Sequence, residues 1–179
     1  MTQLLKQYQT KVIPALRKDF GIANVMAVPR ITKVTLNVGV GRIHKDDKTL
    51  ERIARDLSVL SGQKASVRNA KKSVASFKVR QGVPVGYAVT LRGARMWDFL
   101  ERFVHIALPQ SKDFRGIDPK NVDSYGNLNV GIREHSIFPE INLENMKDIF
   151  SMQVTVTTTA KSKEQGTALF RHLGIPLRA

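Results

Sequence analysis

Strands that are apolar on one face only, interleaved with helical stripes, constrain this chain more than any other feature. Between Ile31 and Val40, Val34, Leu36 and Val38 alternate with Lys33, Thr35 and Asn37, the period of a half-buried strand. The alternation returns at Val85, Tyr87, Val89 and Leu91, at Leu128, Val130 and Ile132, and at Met152, Val154 and Val156; a shorter strand is expected over Lys64 to Arg68. Parallel strands covered on both faces read instead as unbroken apolar runs. Helical spacing fills the intervals. Leu4, Leu5, Tyr8, Val12 and Leu16 form one stripe, which Pro14 should bend. Leu50, Ile53, Ala54, Leu57 and Leu60 form a second, capped by Asp46 or Asp47 and ended by Gly62; Met96, Phe99, Leu100, Phe103 and Ala107 form a third, stopped by Pro109. Asn142 and Ser162 read as N-caps, Ser162 with Gln165 as a capping box, and Gly174 and Pro176 end the last helix. The expected fold class is α+β: helices on one face of an open, mostly antiparallel sheet, with the other face left for solvent or a partner. Residues 1–179 carry no repeat or long linker and read as a single domain, with a basic loop at 69–82.

The outward positions of these strands are chemically uniform. They are Lys33, Thr35 and Asn37; Lys64, Ser66 and Arg68; Gly86, Ala88, Thr90 and Arg92; Asn127, Asn129, Gly131 and Arg133; and Gln153, Thr155, Thr157 and Thr159. None is a carboxylate and none is aromatic, whereas a merely solvated face mixes both charge signs. Charge along the chain agrees. Of a net +14, eight cations lie between Leu57 and Trp97, where there is no Asp or Glu; from Met1 to Lys45, Asp19 is the only carboxylate. Solubility needs net charge but not clustering, and an anionic membrane usually takes an exposed apolar helix face or a lipid anchor as well. Clustered cations with hydroxyls, amides and small side chains suit a phosphate–sugar backbone.

Chemistry of other kinds finds little support. Without cysteine there is no disulfide, iron–sulfur cluster, thiolate zinc site or thiol nucleophile. No apolar run approaches a membrane span, and the N-terminal residues lack the apolar stretch of a secretory signal, so a cytosolic protein is expected. Asn37 to Gly41 resembles the start of a dinucleotide fingerprint, but its third glycine would fall on His44; Gly39 and Gly41 read better as a tight turn that lets a partner approach the backbone. His44, His105, His135 and His172 lack metal-ligand spacing, and His105 reads as a structural residue within a helix. Glu134 and His135 form a lone acid–base pair, the basis of an alternative as a small RNA-acting enzyme. The loop from Asn69 to Gly82 sets Lys71, Lys72, Lys78 and Arg80 around Val74, Phe77 and Val79. Two compatible readings follow: it packs its own apolar side, and it is a basic finger reaching a second anionic partner, with Phe77 packing the finger or touching that partner. A single-strand RNA platform would display aromatics on the sheet, so folded RNA read by shape, phosphates and 2′-hydroxyls fits best.

The residues carry a family resemblance along nearly the whole chain. Val28 to Arg30, Lys33 to Gly41, Ser61 to Lys64, Lys72 to Ala75, Phe77 to Gly82, Val89 to Gly93, Asp113 to Gly116, Phe138 to Ile141 and Thr158 to Lys161 resemble, in order, the bacterial large-subunit ribosomal protein family five. Arg42, Arg68, Asn69 and Ser151 depart from the pattern. The resemblance implies a structural, non-enzymatic protein of the ribosome without a cofactor. It would bind 5S ribosomal RNA in the central protuberance, beside neighbouring large-subunit RNA and proteins. It would also contact peptidyl-site tRNA and bridge to small-subunit protein thirteen. Asn37, Gln63 and Thr90 would recognise 5S RNA, joined on the sheet face by Lys33, Thr35, Lys64 and Arg92, with Gly39 and Gly41 admitting the backbone. Lys71, Lys72, Ser73, Phe77, Lys78, Arg80 and Gln81 would face tRNA, and the Arg133 to Glu144 region would face the small subunit.

Overall fold

The computed structural model describes residues 2–41, 46–112, 114–141 and 149–178. Five strands form one antiparallel open sheet in the order β2-β3-β1-β5-β4: β1 (Ile31–Gly39), β2 (Ser66–Asn69), β3 (Pro84–Leu91), β4 (Leu128–Ile132) and β5 (Met152–Thr158). Along β1 the expected alternation holds from Lys33 onward, with Val34, Leu36 and Val38 fully buried. The chain divides into two compact units, each assembled from separated stretches: Met1–Val34, Leu91–Val130 and Thr155–Ala179 in the first, Thr35–Thr90 and Gly131–Val154 in the second.

The first unit is rich in helix. α1 (Gln3–Gln7) and α2 (Ile13–Phe20) are joined by a π-helical turn, Tyr8–Val12. α4 (Gly93–Arg102) and α5 (Leu108–Gln110) are joined by another, Phe103–Ala107. Each turn precedes a proline at the second position of the next segment, Pro14 and Pro109. Proline offers no N–H and crowds the carbonyl four residues back; widening the preceding turn accommodates both effects. Pro109 therefore does not stop its helix, which continues to Gln110. His105, expected to be structural, lies on the exposed side of that widened turn. Leu4, Val12, Leu16, Phe99, Phe103, Leu169 and Phe170 are sealed from solvent, and the buried Tyr8 hydroxyl donates to the Pro29 carbonyl at 3.0 Å. Ser162 Oγ caps α6 (Lys163–His172) by accepting from the Gln165 amide, while Gln165 Oε1 accepts from Lys161, one residue before the cap. The expected capping box thus closes one position early.

The second unit has one long helix, α3 (Asp47–Ser61). The Asp46 carboxylate caps it, accepting from the Thr49 amide and hydroxyl, and Gly62 ends it with φ at +66°. The stripe Leu50, Ile53, Leu57 and Leu60 is buried. Burial raises the Tyr87 phenol pKa, and the carboxylates of Glu51 and Asp47 raise it further. Two strand expectations need correction. β2 runs from Ser66 to Asn69 rather than from Lys64, with both of its faces exposed, as at a sheet edge. Gly86 and Ala88, expected to face outward, are buried. At Gly86 the neighbouring strands stand close: a side-chain carbon there would lie 3.8 Å from Arg68 Cβ and 3.0 Å from the Val38 carbonyl oxygen. The expected Asn142 cap and the residues Arg42, His44 and Asp113 lie outside the described residues.

Candidate nucleic-acid interface

Gln63 and Thr90 are 27 positions apart in sequence, yet Gln63 Nε2 donates to the Thr90 carbonyl at 2.9 Å. Helix-end chemistry holds Gln63 in place. Gly62 reverses the chain after α3, and the single Ser61 hydroxyl proton is shared between the Leu57 carbonyl at 2.7 Å and the Gln63 carbonyl at 2.9 Å. Ser58 Oγ bonds the Ala54 carbonyl and accepts from the Ala65 amide. Two serines three apart before a glycine could have announced this staple, but serine near a helix end is so often a local back-bonding residue that the signal is weak.

Asn37 is exposed, Thr35 and Thr90 half-buried, and Gly39 exposed at the end of β1; Lys64 is exposed two residues before β2. Among the described residues, nothing hydrogen-bonds the Asn37 side chain and no carboxylate pairs with Lys64. All of these residues, with Gly41, belong to the second unit. Lys33 and Arg92 belong to the first, on β1 and directly after β3, where Lys33 is half-buried and Arg92 exposed. A cation without a carboxylate partner is available to phosphate, and an amide or hydroxyl on a strand starts from a fixed backbone position.

The 69–82 loop is an ordered finger. At its base the Ala70 amide bonds the Val83 carbonyl at 2.9 Å, and the Gly82 amide bonds the Ala70 carbonyl at 3.0 Å. Ser73 Oγ accepts from the Gln81 amide at 3.0 Å, so Ser73 and Gln81 clasp the two sides. Near the tip Val74 and Val79 exchange backbone hydrogen bonds around the 3₁₀ turn Ala75–Phe77. Lys78 closes that turn at φ +52°, the one non-glycine residue with positive φ among the described residues. The expectation that the finger packs its own apolar side fails. Phe77 is 73% exposed and Val74 39%, because so short a hairpin has no second layer to bury them against. Lys71, Lys72, Lys78 and Arg80 are all exposed.

Glu134 and His135 do not form a catalytic pair. The His135 ring is 8% exposed, stacks on Phe150 at a centroid distance of 3.9 Å, and accepts at Nδ1 from the Phe150 amide. Glu134 instead receives the Ser136 hydroxyl at 3.5 Å. Among the described residues no group of His, Asp and Glu has the arrangement to hold a metal. Burial lowers the His135 pKa below the ordinary histidine value of 6.5, with the Asp56 carboxylate opposing part of the shift. Since the unfolded chain then takes up the proton first, His135 lends its full stability above pH 6.5. That contribution falls as pH drops toward the folded-state pKa, by at most about 1.4 kcal/mol per pH unit. Urea unfolding from pH 7.5 to 5 is expected to show this slope in the wild type minus His135→Gln difference; a flat difference would mean that the ring is not buried neutral.

Two family models match successive parts of the chain: "Ribosomal protein L5" over residues 24–80 and "ribosomal L5P family C-terminus" over residues 84–177. Proteins named large ribosomal subunit protein uL5 are similar over almost the full length. The one from Marinomonas sp. (strain MWYL1) is 47% identical over 178 residues, 99% of either chain. That from Prochlorococcus marinus (strain NATL2A) is 48% identical over 175 residues, 98% of either chain.

Proposed function

The chain belongs to the ribosomal protein L5 family, and from that premise we propose that it binds 5S ribosomal RNA through the acid-free sheet residues and contacts a second RNA with its finger. As a member of the family it is a structural, non-enzymatic component of the large ribosomal subunit. The observation that carries the RNA assignment is the Gln63–Thr90 hydrogen bond beside the exposed Asn37. The bond holds the Gln63 side chain against the Thr90 backbone, leaving the Thr90 hydroxyl uncommitted among the described residues, on a surface where strand positions carry no carboxylate. Asn37, Gln63 and Thr90 offer hydrogen bonds to ribose and base edges; Lys33, Lys64 and Arg92 neutralise phosphates; Thr35, Gly39 and Gly41 keep the surface low. The finger, with Lys71, Lys72, Lys78 and Arg80 exposed around Phe77, faces peptidyl-site tRNA, and Ser73 and Gln81 hold its shape. The stretch after β4, from Arg133 to Glu144, faces small-subunit protein thirteen; 142–144 of it lie outside the described residues. In this assignment the protein helps to attach 5S RNA in the central protuberance.

Salt tests the electrostatic part. Engagement of about five phosphates gives a log–log slope of roughly −3.5 to −4.5 for the binding constant against salt. Filter binding of purified protein to 5S RNA at several potassium chloride concentrations is expected to give that slope; a flat line would separate the clustered charge from RNA binding.

A further inference from the structure

Within the second unit an open cleft of about 1380 Å³ lies between the finger and the segment Ile149 to Ser151. Its apolar lining comes from Val74, Phe77 and Val79 of the finger, Val85 of β3, and Ile149 and Phe150. Three of these side chains are open to solvent: Phe77 at 73%, Ile149 at 50% and Val74 at 39%. Exposed apolar residues gathered into one concavity mark an interaction site, where scattered ones would need no explanation. Among the described residues all the charge on the lining is positive, from Lys71, Lys72 and Lys78, and no carboxylate contributes to it.

The lining discriminates between occupants. A nucleobase carries polar donors and acceptors on its edges, and burying them unpaired is costly. Of the described lining side chains only the Ser151 hydroxyl and the lysine ammonium groups can form hydrogen bonds; none is an amide or guanidinium to read a base. The Phe150 ring is already stacked on His135, so that face is not open to a base. Aliphatic walls instead suit an aliphatic or aromatic side chain, and the lysines suit carboxylates beside it. We propose that this cleft docks a protein segment that inserts a leucine or phenylalanine side chain between Phe77 and Ile149 and places flanking acidic residues against Lys71, Lys72 and Lys78. The occupant is a protein of that chemistry; it would share Lys71, Lys72, Lys78 and Phe77 with the RNA assigned to the finger and Gly39 and Gly41 with the sheet assignment, so it binds in competition with them.

The test uses the full chain and a short fluorescein-labelled peptide with a Leu-Phe pair between runs of glutamate. Fluorescence anisotropy is expected to give micromolar binding that weakens about tenfold or more in Phe77→Ser and in Ile149→Ser. Both side chains are exposed, so both variants should keep the native circular dichroism and their affinity for 5S RNA. Amide resonances of Gly39, Val85 and Ser151 should shift on addition of peptide. Equal binding of a control peptide with serine in place of Leu-Phe would overturn the proposal, reducing the cleft to a patch of charge. So would absence of binding, or stronger capture of an unstructured oligoribonucleotide that Ile149→Ser abolishes, which would make it a nucleic-acid site.

Discussion

Gly166→Ala is expected to destabilise the protein by roughly 2–4 kcal/mol, although alanine is ordinarily the better helix residue by about 1 kcal/mol. Gly166 lies in α6 against Gly126, and a methyl group there would fall 2.6 Å from the Gly126 carbonyl oxygen and 2.8 Å from its carbon. The opposing turn cannot easily retreat. Asp123 Oδ1 accepts from the Tyr125 and Asn127 amides at 2.9 and 2.8 Å, and its Oδ2 from Asn127 Nδ2 at 2.8 Å. The Gly126 carbonyl accepts from the Thr158 hydroxyl, and Asn127 Oδ1 from the Thr158 amide, both at 2.9 Å. Gly126 itself has φ at +75°, so the approach of the two backbones depends on glycine on both sides. Gly131→Ala is the control, since nothing lies within 4 Å of its added methyl. Urea midpoints should separate the two variants clearly. A Gly166→Ala protein as stable as wild type would mean that α6 and the Asp123 turn are not in contact.

The finger offers the second large effect. Changing Lys71, Lys72, Lys78 and Arg80 together to glutamine should leave binding of isolated 5S RNA within about twofold. Ribosomes carrying that variant should release peptidyl-site tRNA roughly 30-fold faster or more, since exposed contacts worth about 0.5–1 kcal/mol each sum over four positions. The structure supports separable behaviour because the finger closes on its own hydrogen bonds, from the Ala70–Val83 base to the Val74–Val79 bridge. Loss of 5S RNA binding with tRNA release unchanged would reverse the assignment of the two surfaces.

Periodicity carried most of the fold. Leu36 and Val38 on β1 are buried as their alternation requires, and Leu50, Ile53, Leu57 and Leu60 on α3 as their helical stripe requires. Local chemistry was equally readable at Asp46, Gly62 and Ser162, where caps depend on neighbours within four residues. What escaped sequence reasoning depends on partners distant in the chain. Gly86 and Ala88 follow the outward period but are buried, Gly86 with Arg68 and Val38 close beside it, and no pattern within β3 reports how near such neighbours lie. Pro14 and Pro109 announce a distortion, yet a stop and a widened turn share one signature. At the candidate interface Asn37, Gln63 and Thr90 were legible as residue types on outward positions, whereas the bond joining Gln63 to Thr90 and the serine staple beneath it became visible only in three dimensions. His135 was misleading for the same reason: beside Glu134 in sequence, it belongs spatially to Phe150.

The central claim is that the sheet residues hold 5S RNA, and titration of 5S RNA with the Asn37→Ala/Thr90→Ala double variant tests it most directly. Each lost hydrogen bond should cost about 1–3 kcal/mol when its RNA partner is left unpaired. The double variant is therefore predicted to bind at least about 30-fold more weakly at equal salt, with native circular dichroism and an unchanged urea midpoint. Wild-type affinity in that folded variant would contradict the account.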